Sequence, residues 1–376
     1  MLMMGVVAAQ PSQPQQQPQP QPQQQPQQQP QPQPQQQPQQ QARQEVPQQV
    51  KQQSQQKVLT PKEHQRGTEQ TFLTFPEWYL VHSPAEYAVF VQQHNPDGFP
   101  FWGHIGQFWS GYRAVHQASK DDYPFNAGYH VMIMVIGIST TVEYAMRSAY
   151  ETLIGRLSGL TQSSGMTDED RLGAKVAQEY VDFIRVLPWY EFDFVKPLMT
   201  LWTATDYWGG SPLRKWERRY ALTTEYGIKA VYAWLIKLAT KAAYDDALLV
   251  TAVLIDRLPA GLERALPDLR VLTRYPDGAV LALVPRYEAF KVYAARLAQE
   301  GVQFREIAGN SGVILVSALV PQEWQASPGD KILFAQPIIT RPGEKRVALV
   351  TTVPALPAAL QRLRLPGAML EHIYDY

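Results

Sequence analysis

Residues 10–56 consist almost entirely of glutamine and proline and show no apolar periodicity. Such a segment cannot bury enough surface to offset the entropy lost when a backbone is ordered. We therefore predict a disordered linker over residues 10–66. Its prolines favour polyproline II, in which about 47 residues reach at most roughly 145 Å. That length suits a tether, although a low-complexity tract without a role has the same composition.

Residues 1–9 are apolar and end in small side chains, as the end of a secretory signal does. The run is short, and no lysine or arginine precedes Arg43. Two interpretations stay open. A truncated signal or anchor remnant predicts a protein tethered in a bacterial cell envelope, in the periplasm or at the inner membrane, whereas an ordinary N-terminus predicts a cytoplasmic protein.

Composition removes several classes of function. Lysine plus arginine equals aspartate plus glutamate at 34 each, so the charge balance does not favour a nucleic-acid partner. The absence of cysteine excludes disulfides, thiolate metal sites and a cysteine nucleophile. The chain also lacks the G-x-x-x-x-G-K-[ST], G-x-G-x-x-G and G-x-S-x-G motifs, so phosphate-loop, dinucleotide and hydrolase-elbow sites have no sequence support.

Helix-start patterns succeed one another after the linker and predict a helical bundle domain over residues 67–260. Thr74 with Glu77 forms a capping box, and Ser83 followed by Pro84 repeats the signal. The predicted helices begin at Thr74 and Ser83 and then cover about residues 101–118, 126–157, a stretch from 167 onward, 211–243 and 248–255.

The last part of the chain changes to short β-branched runs separated by turn residues, which predicts an α+β domain over residues 261–376. The predicted strands lie near residues 269–275, 279–284, 302–308, 312–319, 331–340, 345–353 and 368–374. Helices are predicted at 287–300 and 356–363. This order fits a ferredoxin-like α+β sandwich, with both helices covering one face of a single sheet.

Val131–Val142 is a run of twelve residues without a charge. A membrane span needs about 20 apolar residues, and shorter runs are more often core helices. We therefore favour a buried core helix. A membrane span near residues 129–145 is the alternative, with neighbouring tryptophans and tyrosines at the membrane interface.

The pattern E-Y-x-x-[KR]-x-x-Y-x-x-L-I occurs twice, beginning at Glu143 and at Glu225. On a helix it places a carboxylate and a cation four residues apart on one face. We favour two solvated stripes of weak ion pairs; if the two copies faced each other, a polar site with paired carboxylates would result. The cationic run at 214–219 is likewise predicted to be a solvated helix face.

Histidine and aromatic residues recur every four positions along the helix predicted at 101–118, and His130 follows on the next helix. Their spacing matches no metal-binding histidine motif, so no metal is predicted. They would line a ligand cleft or, alternatively, be core histidines satisfied by hydrogen bonds. The candidate ligand-binding residues are His104, Phe108, Tyr112, His130, Glu143 and Glu225.

The runs at residues 68–79, 125–130 and 214–219 resemble an uncharacterised family of bacterial proteins predicted to be exported or membrane-associated. The resemblance covers most of the helical region and implies an envelope location. It implies no activity, cofactor or site residue.

These observations predict an envelope-tethered module that binds a protein partner or a small ligand. One alternative is an enzyme with a His/Glu/Tyr site in the helical domain, although His130 and Glu143 lie roughly 20 Å apart along one helix and cannot form a pair directly. The other alternative is the membrane protein with one span described above. No catalytic residue or cofactor follows from the sequence.

Overall fold

The computed structural model describes residues 58–67, 69–163, 165–240, 249–327, 330–364 and 367–375. The predicted signal remnant at residues 1–9 and the predicted linker up to residue 57 lie outside the described residues. All described residues belong to one compact unit.

Six helices make up the first part of the described chain. They are α1 (Gln70–Phe90), α2 (Phe101–Ser119), α3 (Ala127–Gly159), α4 (Asp168–Ile184), α5 (Val195–Thr203) and α6 (Pro212–Thr240). The predicted helices at 101–118 and 126–157 are confirmed, and the helix predicted at 211–243 is confirmed as far as Thr240; its last three predicted residues lie outside the described residues. The helix start at Thr167 is also confirmed, and the Thr167 side chain forms a capping box with Asp170. A π-helical turn interrupts α3 at Glu151–Gly155.

The prediction of two separate helices at Thr74 and Ser83 is wrong, because α1 continues through Pro76 and Pro84. Neither hydroxyl caps a helix. Thr74 donates its hydroxyl proton to the carbonyl of Gln70, and Ser83 is hydrogen-bonded to side chains of other helices. The two hydroxyls predicted to cap helices therefore form hydrogen bonds within one long helix and from that helix to its neighbours.

The strands of the second part are β1 (Val250–Ile255), β2 (Arg270–Arg274), β3 (Val280–Pro285), β4 (Phe304–Ile307), β5 (Val313–Pro321), β6 (Lys331–Pro337), β7 (Glu344–Thr352) and β8 (Met369–Tyr374). Three helices lie between them: α7 (Leu262–Ala265), α8 (Glu288–Gln299) and α9 (Leu356–Arg362). All seven predicted strands and both predicted helices are confirmed. The helix predicted at 248–255 is wrong, since Val250–Ile255 is a strand buried between two neighbours.

The strands form two antiparallel sheets rather than the single sheet of a ferredoxin-like sandwich. Their orders are β2-β3-β1-β4 and β6-β7-β5-β8, so each sheet places its first strand centrally and its last strand at an edge. With β1 included, the order of three strands, a helix and a strand occurs twice in succession, and the first copy differs by the short helix α7 between β1 and β2. The sequence prediction missed this repeat because it assigned the central strand of the first sheet to a helix.

The second sheet is buried on both faces, and this fixes the position of α1. Successive side chains of a strand point to opposite faces of its sheet, so β5 presents alternate residues to the two faces of the second sheet. Ile314 and Val316 join a core shared by both sheets with α8 and α9, while Val313 and Leu315 pack against α1. Helices and sheets therefore meet in a common interface, across the predicted boundary between residues 260 and 261.

The last residues of the predicted linker are folded onto the first sheet. The buried carboxylate of Glu306 on β4 accepts hydrogen bonds from the Thr60 hydroxyl (2.6 Å), the Thr60 amide (2.9 Å) and the Leu59 amide (2.8 Å). A buried carboxylate needs such donors, because an ionised group loses its water on burial. The ordered chain thus begins by residue 58, earlier than the predicted limit of residue 66.

Shortening the chain within this segment gives a first testable prediction. A chain that begins at residue 67 is expected to lose about 2–3 kcal/mol of unfolding free energy relative to one that begins at residue 58, because the three hydrogen bonds to the Glu306 carboxylate are lost. Urea denaturation of both chains measures the difference. Glu306→Gln in the shorter chain should recover part of the loss, and equal denaturation midpoints would show that the segment contributes nothing.

Candidate functional site

A cavity of about 580 Å³ lies between α1, α3, α4 and α6. Its size falls within the range of roughly 300–1,000 Å³ that is usual for small-molecule sites. The wall is predominantly apolar and aromatic, with Trp78, Met132, Val176 and Trp189 among its residues. Such a wall suits the apolar body of a ligand.

Four alternating charges lie together in this wall, and we call them the charge cluster: Glu143 and Arg147 on α3, Glu225 and Lys229 on α6. Lys229 Nζ lies 2.8 Å from Glu225 and 3.3 Å from Glu143. Arg147 Nη1 lies 3.6 Å from Glu225 and 3.9 Å from Glu143. The two copies of the repeated motif therefore face each other, and the prediction of two separate solvated stripes is wrong. Tertiary packing of α3 against α6 brings the copies together.

Two members of the charge cluster have hydrogen-bonding capacity left over. Among the described residues, the Arg147 side chain donates no hydrogen bond and the Glu143 side chain accepts none; their contacts with neighbouring side chains are ion pairs longer than 3.2 Å. The Arg147 side chain is 20% exposed and the Glu143 side chain 44%, and both line the cavity. The guanidinium of Arg147 also lies over the ring of Tyr87, 4.5 Å from its centroid. The guanidinium of Arg147 and the carboxylate of Glu143 therefore lie side by side, and each can form hydrogen bonds with a ligand in the cavity.

A second ionic network lies where α6 begins, and Glu169, Asp170 and Arg218 of this network also line the cavity. Arg218 donates to both oxygens of Glu151 in the π-turn of α3 (2.9 and 3.0 Å), and Arg214 donates to Asp170 at the start of α4 (2.9 Å). Arg219 pairs with Glu169 (2.6 Å). These side chains are buried, so the prediction that residues 214–219 form a solvated face is wrong. Their arginines hold three helix segments together.

A third polar group joins α1, α2 and α3, and two of its members, Ser83 and Tyr144, also line the cavity. Ser83 Oγ lies 2.9 Å from His104 Nδ1 and 2.7 Å from the Tyr144 hydroxyl, and His104 Nε2 lies 3.6 Å from Glu86. Burial lowers the pKa of His104 to about 3, so the ring is neutral at neutral pH. The order of serine, histidine and carboxylate is that of a nucleophilic triad. Ser83, however, is only 1% exposed and already bonded on two sides, so the group serves as a cross-link between helices.

The same polar group extends into the second sheet through Arg346 on β7. Arg346 donates to Glu86 on α1 (3.0 Å) and to Glu371 on β8 (2.7 Å). Burial would raise the pKa of Glu371, but Arg346 outweighs it and holds that pKa at about 2. His82 on α1 lies 3.4 Å from Glu371. The helices and the second sheet are therefore joined by a buried ion network.

The structure separates the six candidate ligand residues into two groups. Glu143 and Glu225 meet in the charge cluster and line the cavity. The other four do not line it. Phe108 belongs to an apolar core cluster, and the Tyr112 hydroxyl is 2.8 Å from His130 Nδ1. His104 is fully buried in the group described above.

Sequence reasoning singled out the repeated motif but not the aromatic residues that complete the site. The ring of Tyr87 lies under the guanidinium of Arg147, and the centroid of the Tyr180 ring lies 5.4 Å from Lys229 Nζ. Nothing in the spacing of α1 and α4 marks these tyrosines, because their partners come from other helices. Within the described parts of the chain, no group of three or more histidine, aspartate or glutamate side chains could hold a metal ion.

Comparisons of this chain with protein-family models, with curated proteins and with solved structures find no match.

Proposed function

We propose that the protein binds an amphiphilic small molecule in the cavity between α1, α3, α4 and α6. The apolar body of the ligand lies against the aromatic wall, and its polar head contacts the charge cluster. The observation that carries the proposal is the adjacent pair Arg147 and Glu143, which faces a predominantly apolar cavity with unfilled hydrogen-bonding positions.

The charge cluster favours a head that carries both an acceptor and a positive or donating group. An anionic oxygen accepts from the free donors of Arg147, and charge-assisted hydrogen bonds of this kind are the stronger ones. A cationic end is attracted by Glu143 and by the faces of the surrounding tyrosines. The cluster itself has two positive and two negative members, so a zwitterionic head leaves the charge balance of the cavity unchanged.

An envelope location belongs to the same proposal. The predicted linker and the resemblance to an exported or membrane-associated family support it. An amphiphilic ligand is also a kind of molecule that an envelope contains.

The binding prediction is tested with dodecylphosphocholine, kept below its micelle concentration and titrated into the full chain by calorimetry. We expect saturable binding of one molecule per chain. Arg147→Met is expected to weaken binding about tenfold or more, because a hydrogen bond to a charged group contributes about 1.5–3 kcal/mol. Ala177→Trp, which fills the cavity from α4 without changing a charge, should abolish binding.

Arg156→Met is the matched control, since Arg156 is an exposed arginine on the same helix α3 that does not line the cavity. It should bind as the unchanged protein does. Equal affinity of the Ala177→Trp variant and the unchanged protein would show that the amphiphile binds elsewhere, and the proposal would be wrong.

A further inference from the structure

Helix α6 has the reverse of the charge distribution expected for a helix on a water-exposed surface. Its charged residues from Arg214 to Lys229 are buried or half-buried among other helices. Its exposed positions carry large apolar or aromatic side chains instead. The most exposed are Leu213, Tyr220, Ile228, Val231, Trp234 and Leu235. A helix in water normally shows charged and polar residues on its outer face.

Helix α3 shows the same reversal. Arg147 and Glu151 point into the ion networks, and most outer positions of α3 are apolar; the exposed charges are Glu143, which is 44% exposed and faces the cavity, and Arg156 near the C-terminal end of the helix. Only 22% of its most apolar 18-residue window is buried. The favoured prediction of a buried core helix at Val131–Val142 is therefore wrong. Its exposed apolar residues include Val131, Val135, Ile138, Val142, Met146 and Leu153.

The two helices are held together by the charge cluster, and their aromatic residues meet near the surface, where the rings of Tyr150 and Tyr220 lie 6.3 Å apart. Soluble proteins rarely expose contiguous apolar patches larger than a few hundred Å². Paired ionisable groups inside and apolar residues outside are the arrangement that helices adopt in hydrocarbon. A protein partner would instead call for a polar rim around an apolar centre.

We propose that the outer faces of α3 and α6 contact the hydrocarbon of a lipid bilayer. Only the outer faces can contact the bilayer, because the inner face of α3 packs on α2. Helix α2 in turn packs on the second sheet, where Gln107 donates to the Pro337 carbonyl (2.6 Å). The helices therefore lie along the membrane surface with their outer faces immersed. This inference does not depend on a ligand in the cavity.

Flotation of the full chain with phosphatidylcholine and phosphatidylglycerol vesicles tests the inference. The unchanged protein should float with the vesicles, and 0.5 M NaCl should leave the floated fraction nearly the same, because salt screens charge attraction but not apolar contact. Val231→Glu on α6 and Ile138→Glu on α3 are each expected to lower the partition coefficient at least tenfold.

Val292→Glu is the matched control. Val292 on α8 is 59% exposed and Val231 is 60% exposed, so glutamate is introduced at an equally exposed position in both variants. Val292, however, lies outside the proposed membrane-contacting face. It should float as the unchanged protein does. Circular dichroism of each variant without lipid checks that the helices are retained, and titration with dodecylphosphocholine checks cavity binding separately.

Three results would overturn the inference: an unchanged protein that stays with the lipid-free fraction, a Val231→Glu variant that floats normally, or flotation lost at high salt. A lipid-free dimer that Val231→Glu converts to a monomer would likewise show that a second copy covers the face. Light scattering of the lipid-free protein distinguishes that case.

Discussion

Replacing Arg346 by methionine is expected to lower the free energy of unfolding by about 3–5 kcal/mol. Arg346 is 1% exposed, and it is the shared partner of Glu86 and Glu371. Without the guanidinium, two carboxylates remain buried near each other with no compensating cation. Urea denaturation followed by circular dichroism measures the change. An unaltered slope of the unfolding free energy against urea concentration would show that the two-state transition is retained.

Two further variants separate this effect from a general loss of packing. Combining Arg346→Met with Glu86→Gln and Glu371→Gln should recover most of the stability, because no buried charge is then left unpaired. Arg341→Met removes an ion pair to Glu344 in which both side chains are 38% exposed, and it should cost less than about 1 kcal/mol. Similar losses for Arg346→Met and Arg341→Met would contradict the buried network.

Acidification is expected to destabilise the protein from about pH 6.5 downward. Burial lowers the pKa of both His82 and His104 to about 3, although Glu371 acts in the opposite direction on His82. Between the ordinary histidine pKa of about 6.5 and the folded value, the unfolded chain binds protons that the folded chain does not. Stability therefore rises with pH in this window, by up to about 1.4 kcal/mol per pH unit for each histidine.

Glu371 adds to the loss at lower pH. Arg346 holds its pKa at about 2 against the effect of burial, so its contribution is complete above the ordinary glutamate pKa and declines as the pH falls toward 2. Unfolding free energies at half-unit pH steps give the profile. His82→Gln with His104→Gln should reduce the slope between pH 6.5 and 4.5, whereas exposed His94→Gln should not. Part of the slope should remain, because burial also lowers the pKa of His372 well below its usual value. A profile unaffected by the double variant would mean that other groups cause the acid sensitivity.

Local patterns in the chain predicted its elements well where the signal was local. The helix start at Thr167, the proline-started α6 and the seven strands from β2 to β8 all depend on capping or turn residues and apolar alternation within a few positions. The errors also have local causes. Val250–Ile255 is an apolar run interrupted only by Thr251, and both a strand buried on two faces and a core helix can have such a run. Ser83 has a hydroxyl that could cap a helix, but this hydroxyl is hydrogen-bonded to His104 and Tyr144 instead.

The site required information of a different kind. The repeated motif already placed Glu143 and Arg147, and likewise Glu225 and Lys229, four residues apart on helices, because helical geometry alone determines that spacing. Whether the two copies faced water or each other depended on how α3 packs against α6, and an isolated helix contains no such information. The same packing turned the arginines of α6 inward and left its apolar residues outside, since ion pairs across helices form only after distant parts of the chain have met.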